Sequence, residues 1–343
     1  MSVEASGIPD PQWQAAHRLA LDHMLGLFTE SSWADGLILR GSMAMLAWAG
    51  ADARAPGDLD WIALDRLAPP IDEEHPYPYV ETIETVQQWP EAFAGAAWYD
   101  FWRAEEEFGT AGSHPYVPPE GLHWIPDLIE YEPRFLREEL VELLRENPNV
   151  AKGILFDADN IRESDDWLYS YTYGGGTGVR LLVPWQADGL EPGLLRLDFA
   201  GDESLIDPPV WTSVPRADGS RPTLVRAASR ESSLAWKLLW LYADANADAN
   251  VDVAAASGSG AQGKDLYDAV LLAESERTRL TPQLFNRILR RSSRDAAGEF
   301  QVSAIRVSEE EWAGFQLTHP SAQGSAAEWL DRLTRALGAL STP

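Results

Sequence analysis

The chain has 343 residues, 45% of them hydrophobic, and a formal net charge of −27 from 27 basic and 54 acidic side chains. That length and apolar fraction specify one large or two medium folded domains and exclude a disordered chain. The charge excludes the diffuse cationic surface that non-specific nucleic-acid binding depends on, and the lack of cysteine excludes disulfides and thiolate metal sites.

The opening segment, MSVEASGIPDPQW, has neither a basic region nor an apolar core, and no run of about 18 apolar residues follows anywhere. The expectation is a cytoplasmic protein with no membrane partner. Residues 12–30 place leucines and Phe28 at helical spacing, so an amphipathic helix is predicted there. Residues 36–39 read as a short apolar strand and 42–48, rich in Ala, Met and Leu, as a helix. A loop with Gly50, Pro56 and Gly57 leads to 58–64, DLDWIAL, which reads as a second strand. Residues 69–80 are proline-rich, 81–109 have helical character, and 110–133 read as irregular. Residues 134–146 form a well-spaced helix that stops before Pro148. Two strands, 179–185 and 194–199, are joined by a turn-forming stretch over 187–193, and Val225 closes a further strand. Ser229 is an N-cap candidate for a strongly apolar helix. Residues 243–262 are low-complexity and read as a mobile loop. Helices follow over 264–274, 281–292 and 322–339. The first two-thirds thus reads as α/β and the last third as helical.

The chemistry sits in the stretch LRGSMAMLAWAGADARAPGDLDW at 39–61. Alternate residues of a strand point the same way, so Asp58 and Asp60 project together while Leu59 points into the core. Two carboxylates so placed suit a pair of divalent cations about 3.5–4 Å apart at a phosphate. Gly41 and Ser42 open a helix whose N-terminal amides can hold an anion, and glycine permits close approach of a phosphate. A D-x-D pair alone is commonly a solvated strand edge. The ordered combination of strand, Gly-Ser helix start, loop and D-x-D strand describes a triphosphate site.

Other features carry less. The run GSGAQGK at 258–264 fits G-x-x-x-x-G-K, but Asp265 replaces the required Ser or Thr and no apolar strand precedes it, so it is not a P-loop. The glycines over 174–178 read as a flexible approach to a strand. The six histidines lack metal-ligand spacing. Trp98, Trp102, Trp124 and Trp185 could stack a base, with nothing to select one.

The G-S and D-L-D segments resemble nucleotidyltransferases of the DNA polymerase β type. More narrowly, they resemble the AbiEii/AbiGii toxin branch, whose pattern G-[GS]-T-A-L…R-x-S-x-D-L-D-F is met here by Gly41, Ser42, Ala44, Arg54, Asp58, Leu59 and Asp60. Pro56 replaces the serine and Trp61 the phenylalanine. A later L-A-x-K-L block is met by Leu234, Ala235, Lys237 and Leu238, and an [RK]-D-x-x-D block by Lys264, Asp265 and Asp268. Residues 66–178 match nothing in that pattern.

The resemblance implies an α+β fold. Its core would be polymerase-β-like, a mixed sheet flanked by helices within 1–228 with a large insertion at about 66–178. A helical domain would follow over 229–343, with a flexible loop at about 243–262. It implies transfer of a nucleoside monophosphate from an NTP to an acceptor hydroxyl, with two Mg²⁺ ions on Asp58, Asp60 and a third carboxylate from a neighbouring strand. Asp198 in LLRLDF is the candidate, with Asp202 and Glu203 as fallbacks. Gly41 and Ser42 would hold the triphosphate. Lys237 either snorkels from its apolar helix or reaches the triphosphate as a compact cation. Lys264, Asp265 and Asp268 form either a structural polar cluster or a face that closes the active site, with Asp268 orienting other groups. The toxin resemblance further implies an RNA acceptor, most naturally a tRNA end, and a cognate antitoxin. The alternatives are nucleotidylation of a small molecule or a protein, or a non-catalytic nucleotide-binding protein.

Overall fold

A computed structural model describes residues 10–63, 79–80, 122–123, 134–150, 153–164, 178–200, 205, 207–246, 261–286 and 302–338. Helix α1 (Pro11–Glu30) starts where the Asp10 side chain accepts a hydrogen bond from the Gln12 amide and proline takes the first helical position, two features that favour a helix N-terminus. Strand β1 (Leu37–Arg40) runs directly into helix α2 (Gly41–Ala49), and β2 (Asp58–Ala63) returns antiparallel to β1. Two short strands, β3 (Tyr79–Val80) and β4 (Leu122–His123), pair with each other where proline content alone suggested irregular chain. Helix α3 (Arg134–Glu146) keeps the bounds read from its periodicity.

Strands β5 (Ile154–Phe156) and β6 (Arg162–Glu163) both pair with β7 (Gly178–Ala187), which forms a hairpin with β8 (Gly193–Ala200). Strand β9 (Val210–Val214) pairs with β10 (Thr223–Ala227). Together these make one eight-stranded mixed sheet in the order β5-β7-β8-β2-β1-β10-β9, with β6 also on β7. Two neighbour pairs, β2·β8 and β1·β10, are parallel and the rest antiparallel. The fold is therefore mixed α and β, as the sequence implied.

Strand alternation decides which face each residue serves. Leu59, Trp61, Leu195, Leu197, Phe199, Leu181 and Val183 point to one face and pack under α1 and α3 through Leu21, Leu25, Phe28, Leu136 and Leu140. Each such side chain, once fully buried, contributes about 1.5–3 kcal/mol of transfer free energy. The opposite face carries Ile38 and Ile62, which join a second cluster with the later helices. These are α4 (Arg230–Asn246), α5 (Ala261–Glu274), α6 (Glu309–Thr318) and α7 (Ala326–Ala336). Ser229 accepts from the Ser232 amide at 3.0 Å, so the proposed cap of α4 is present. A full capping box between Ser325 and Glu328 opens α7.

Several boundaries moved. Helix α4 continues through Ala243 and Ala245 to Asn246, and α5 begins at Ala261, so both ends of the expected 243–262 loop are helical; alanine favours helix, and low complexity is not itself a breaker. Gly263 and Lys264 lie inside α5, which agrees with the rejection of a P-loop. Strands β5, β6 and β9 and helix α6 had no sequence expectation. Residues 282–286 are helical, the part of the 281–292 expectation that is described. The expected helix at 81–109, residues 247–260, the glycines at 174–177, Asp202, Glu203, Trp98, Trp102 and Trp124 lie outside the described residues. Trp185 is 1% exposed in the core and tilts against Trp13 at 5.4 Å, so it offers no face to a base.

Candidate active site

The register of four strands builds the site. Arg180 on β7 stands opposite Asp198 on β8, Asp198 opposite Asp60 on β2, and Asp60 opposite Arg40 on β1. Directly opposed residues share a face, so a row of charges, + − − +, crosses the sheet. Two residues along, and so on the same face, Asp58 stands opposite Arg196. Ligand oxygens of Asp58, Asp60 and Asp198 all lie within 4.8 Å of one another. The sequence proposed these three carboxylates, and the fold brings them together.

Each carboxylate has its own neighbours. Asp58 accepts from the Ser42 hydroxyl at 3.3 Å and from Arg196 at 3.4 Å. Asp198, 3% exposed, takes a two-point hydrogen bond from Arg180, at 2.7 and 2.8 Å. Asp60 lies against Gly41, whose φ is +71° and where a Cβ would fall on the Asp60 carboxylate. Glycine at 41 is thus required twice, by the left-handed backbone and by the space Asp60 fills.

Electrostatics separates the two members of the D-x-D pair. Burial, with the negative charges of Asp58 and Asp198 beside it, pushes the Asp60 carboxyl up to about 7. Burial also opposes ionisation of Asp58, but Arg196, Lys264, Arg54 and the Ser42 hydroxyl outweigh it and hold its pKa below the usual carboxylate value. Hard oxygen donors in an all-carboxylate set suit hard divalent cations such as Mg²⁺ or Mn²⁺ rather than soft metals. Three carboxylates this close repel one another, and a bound divalent cation removes that cost. The residues present fit such an ion.

A second charged cluster lies near the first, close enough for the Arg54 charge to act on Asp58. Lys237 on α4 donates to Asp265 at 2.6 Å and its ammonium is 3.4 Å from Asp268; Arg54 donates to both Asp268 oxygens at 3.1–3.2 Å. Lys237 is 6% exposed and Asp268 fully buried. Burial works against the charge on Lys237, yet the two carboxylates raise its pKa above the ordinary lysine value. Lys237 therefore does not snorkel: its ammonium is turned inward to Asp265 and Asp268. The Arg54–Asp268 contact ties the loop before β2 to α5 across 214 residues of sequence. Lys264 is exposed at the start of α5, and its charge acts on both Asp58 and Asp60.

Sequence reasoning passed over Arg180, Arg196 and Arg40. Arg196 could have been found, because it sits two residues before Asp198 and so shares its face. Arg180 and Arg40 needed the strand register.

The carboxylate triad on adjacent strands of a mixed sheet, with a glycine-opened helix against it, is an arrangement that could hold a divalent cation. The chain belongs to the family of nucleotidyl transferase AbiEii toxins of type IV toxin–antitoxin systems, whose pattern it matches over residues 129–339. That match contains Asp198, Lys237 and Asp268 but not Gly41, Ser42, Asp58 or Asp60; pairing of β2 with β8 places Asp58 and Asp60 on the same sheet face as Asp198. No curated protein matches the chain. Among the described residues, no helix is long and apolar enough to cross a membrane.

Proposed function

We propose that the protein transfers a nucleoside monophosphate from an NTP to an acceptor hydroxyl at the Asp58–Asp60–Asp198 cluster. The observation that carries this reading is the convergence of those three carboxylates within 4.8 Å. Asp58, Asp60 and Asp198 would hold Mg²⁺, two ions in the full reading; when bound, the metal polarises the transferred phosphate and neutralises developing charge. Asp198 also stands ready to take the acceptor proton. The α2 N-terminus, with Gly41 and Ser42, is the natural seat of the triphosphate, since its amides point out of the helix. Lys237, with Asp265 and Asp268, adds a fixed polar floor, and Asp268 orients Arg54 and Lys237. Most of the rate in phosphoryl transfer comes from positioning and charge, so a rigid, buried floor is a functional asset.

The parallel β2·β8 pair bearing all three carboxylates supports a polymerase-β-like core. The two hydrophobic clusters support a division near 228/229, with the site where they meet. The acceptor is best read as RNA. The half-exposed Arg196 beside Asp58 and the exposed Lys264 put positive charge at the mouth of an otherwise acidic protein, which suits an anionic acceptor rather than a cationic small molecule. The family supports an antitoxin partner and a toxin role, and we place that role in the cytoplasm.

Incubation with each α-labelled NTP, Mg²⁺ and total RNA tests this. Label is expected in RNA with the wild type and none with Asp60→Ala. Label in protein or a small molecule would move the acceptor, and label retained by Asp60→Ala would remove the site.

A further inference from the structure

The cation that faces Asp198 is already part of the chain. Arg180 Nε and Nη2 each meet a different Asp198 oxygen, at 2.7 and 2.8 Å, and the pair is largely buried, with side-chain exposures of 17% and 4%. The other two carboxylates are held more loosely, Asp58 at 3.3 and 3.4 Å by Ser42 and Arg196, and Asp60 across the strands from Arg40. A fork-to-fork contact uses one lone pair on each oxygen and fixes the carboxylate plane. It leaves further lone pairs on Asp198, one oxygen of which lies within 4.8 Å of an oxygen of Asp58 and of Asp60. The same guanidinium puts a positive charge beside any cation that enters.

Resting on the reading of this cluster as the metal site, we propose that Arg180 is a positioning residue with two opposed effects. It holds Asp198 in the ligand-bearing orientation and acts as its counter-ion while no metal is bound. It also competes with the divalent cation for that carboxylate. The arrangement explains how three buried carboxylates are tolerated in one place: Arg180 offsets one of them from within the sheet, so the fold does not wait for metal. It also weakens metal binding, so that occupancy depends on what arrives with the cation, the polyanionic triphosphate.

The test is Mn²⁺ binding to the full chain, read as the half-saturating concentration in thermal-shift titrations and by calorimetry, beside turnover at saturating Mn²⁺. Arg180→Met keeps the aliphatic stem and removes the charge. Its melting point without metal is expected to fall, its half-saturating Mn²⁺ to drop at least fivefold, and its turnover to fall at least tenfold because Asp198 is free to rotate. Arg180→Lys keeps the charge but loses the fork; a shift of twofold or more in the same direction is expected, with turnover between the other two. A purely structural arginine would lower the melting point equally with and without Mn²⁺ and leave the half-saturating concentration where it was, and that result overturns the proposal. If Arg180→Met does not fold, Arg180→Lys decides alone, an unchanged Mn²⁺ midpoint overturning it. A wild-type protein that shows no Mn²⁺ response either alone or with a non-hydrolysable NTP analogue overturns the metal reading itself, and is distinct from a wild type that responds alongside a variant that does not differ from it.

Discussion

Replacing Gly41 by alanine isolates the closest packing contact in the site. Two costs combine. The backbone at φ +71° is left-handed, which costs an L-residue about 1–2 kcal/mol. The new methyl would also overlap the Asp60 carboxylate, an overpacking cost of about 1–3 kcal/mol. Gly219 supplies the control, since it has the same φ of +71° but nothing within 4 Å of where a Cβ would stand. Gly219→Ala should therefore lose only the backbone part, about 1–2 kcal/mol, with turnover unchanged. Gly41→Ala should lose a further 1–3 kcal/mol or so. Because a displacement of about 1 Å in a reacting group costs on the order of a hundredfold, its turnover should fall by about that factor. Urea denaturation gives the stabilities and pyrophosphate release gives the rates. Wild-type turnover in Gly41→Ala, or a stability loss no greater than that of Gly219→Ala, would refute the argument that Gly41 exists to seat Asp60.

Three further outcomes are expected. Asp60→Asn removes one of three mutually repelling carboxylates, so it should leave the metal-free protein as stable as the wild type or more so while abolishing pyrophosphate release; a large stability loss would count against the repulsion argument. Lys237→Met leaves Asp265 and Asp268 buried with Arg54 as the remaining cation of the cluster, and should cost roughly 3–5 kcal/mol in thermal or urea melts; a loss under about 1 kcal/mol would mean the cluster is not coupled as drawn. His17 Nε2–H donates to the Gly57 carbonyl oxygen at 3.3 Å, and burial holds its pKa below 6.5 despite that contact. Its stabilising contribution is full above its ordinary pKa near 6.5 and is lost as pH falls through the lower folded value, because the unfolded chain takes up the proton first. The urea midpoint of the wild type should therefore drop relative to that of His17→Gln as pH falls from 7.5 to 5, a comparison in which the opposite contribution of the raised Asp60 carboxyl cancels; an identical pH dependence in the two proteins would contradict this.

The parts of the site that are local in sequence were legible, and the parts that depend on register were not. Strand alternation suffices to put Asp58 and Asp60 on one face and Leu59 in the core. The Gly-Ser step suffices to open α2. Asp198 was reachable because it follows an apolar strand with the same alternation. Arg180 could not be assigned, because a hairpin slip of one residue would set it opposite Leu197 or Phe199 and turn it to the other face. The Lys237–Asp265 contact joins two helices across a low-complexity stretch, and nothing local says that α4 and α5 face each other. The long helix α4 was misjudged at its end because alanine-rich low complexity was read as a break. Strand β9 was missed for the opposite reason: five residues with Pro208, Pro209 and Pro215 close by leave little periodicity to read.

The most direct measurement is the anomalous signal of Mn²⁺ in crystals of the full chain grown with a non-hydrolysable NTP analogue. Manganese is expected on carboxylate oxygens of Asp58 and Asp60, with Asp198 completing the cluster and the triphosphate against the start of α2. Manganese at any other group of residues, or a triphosphate seated away from Gly41 and Ser42, would contradict it.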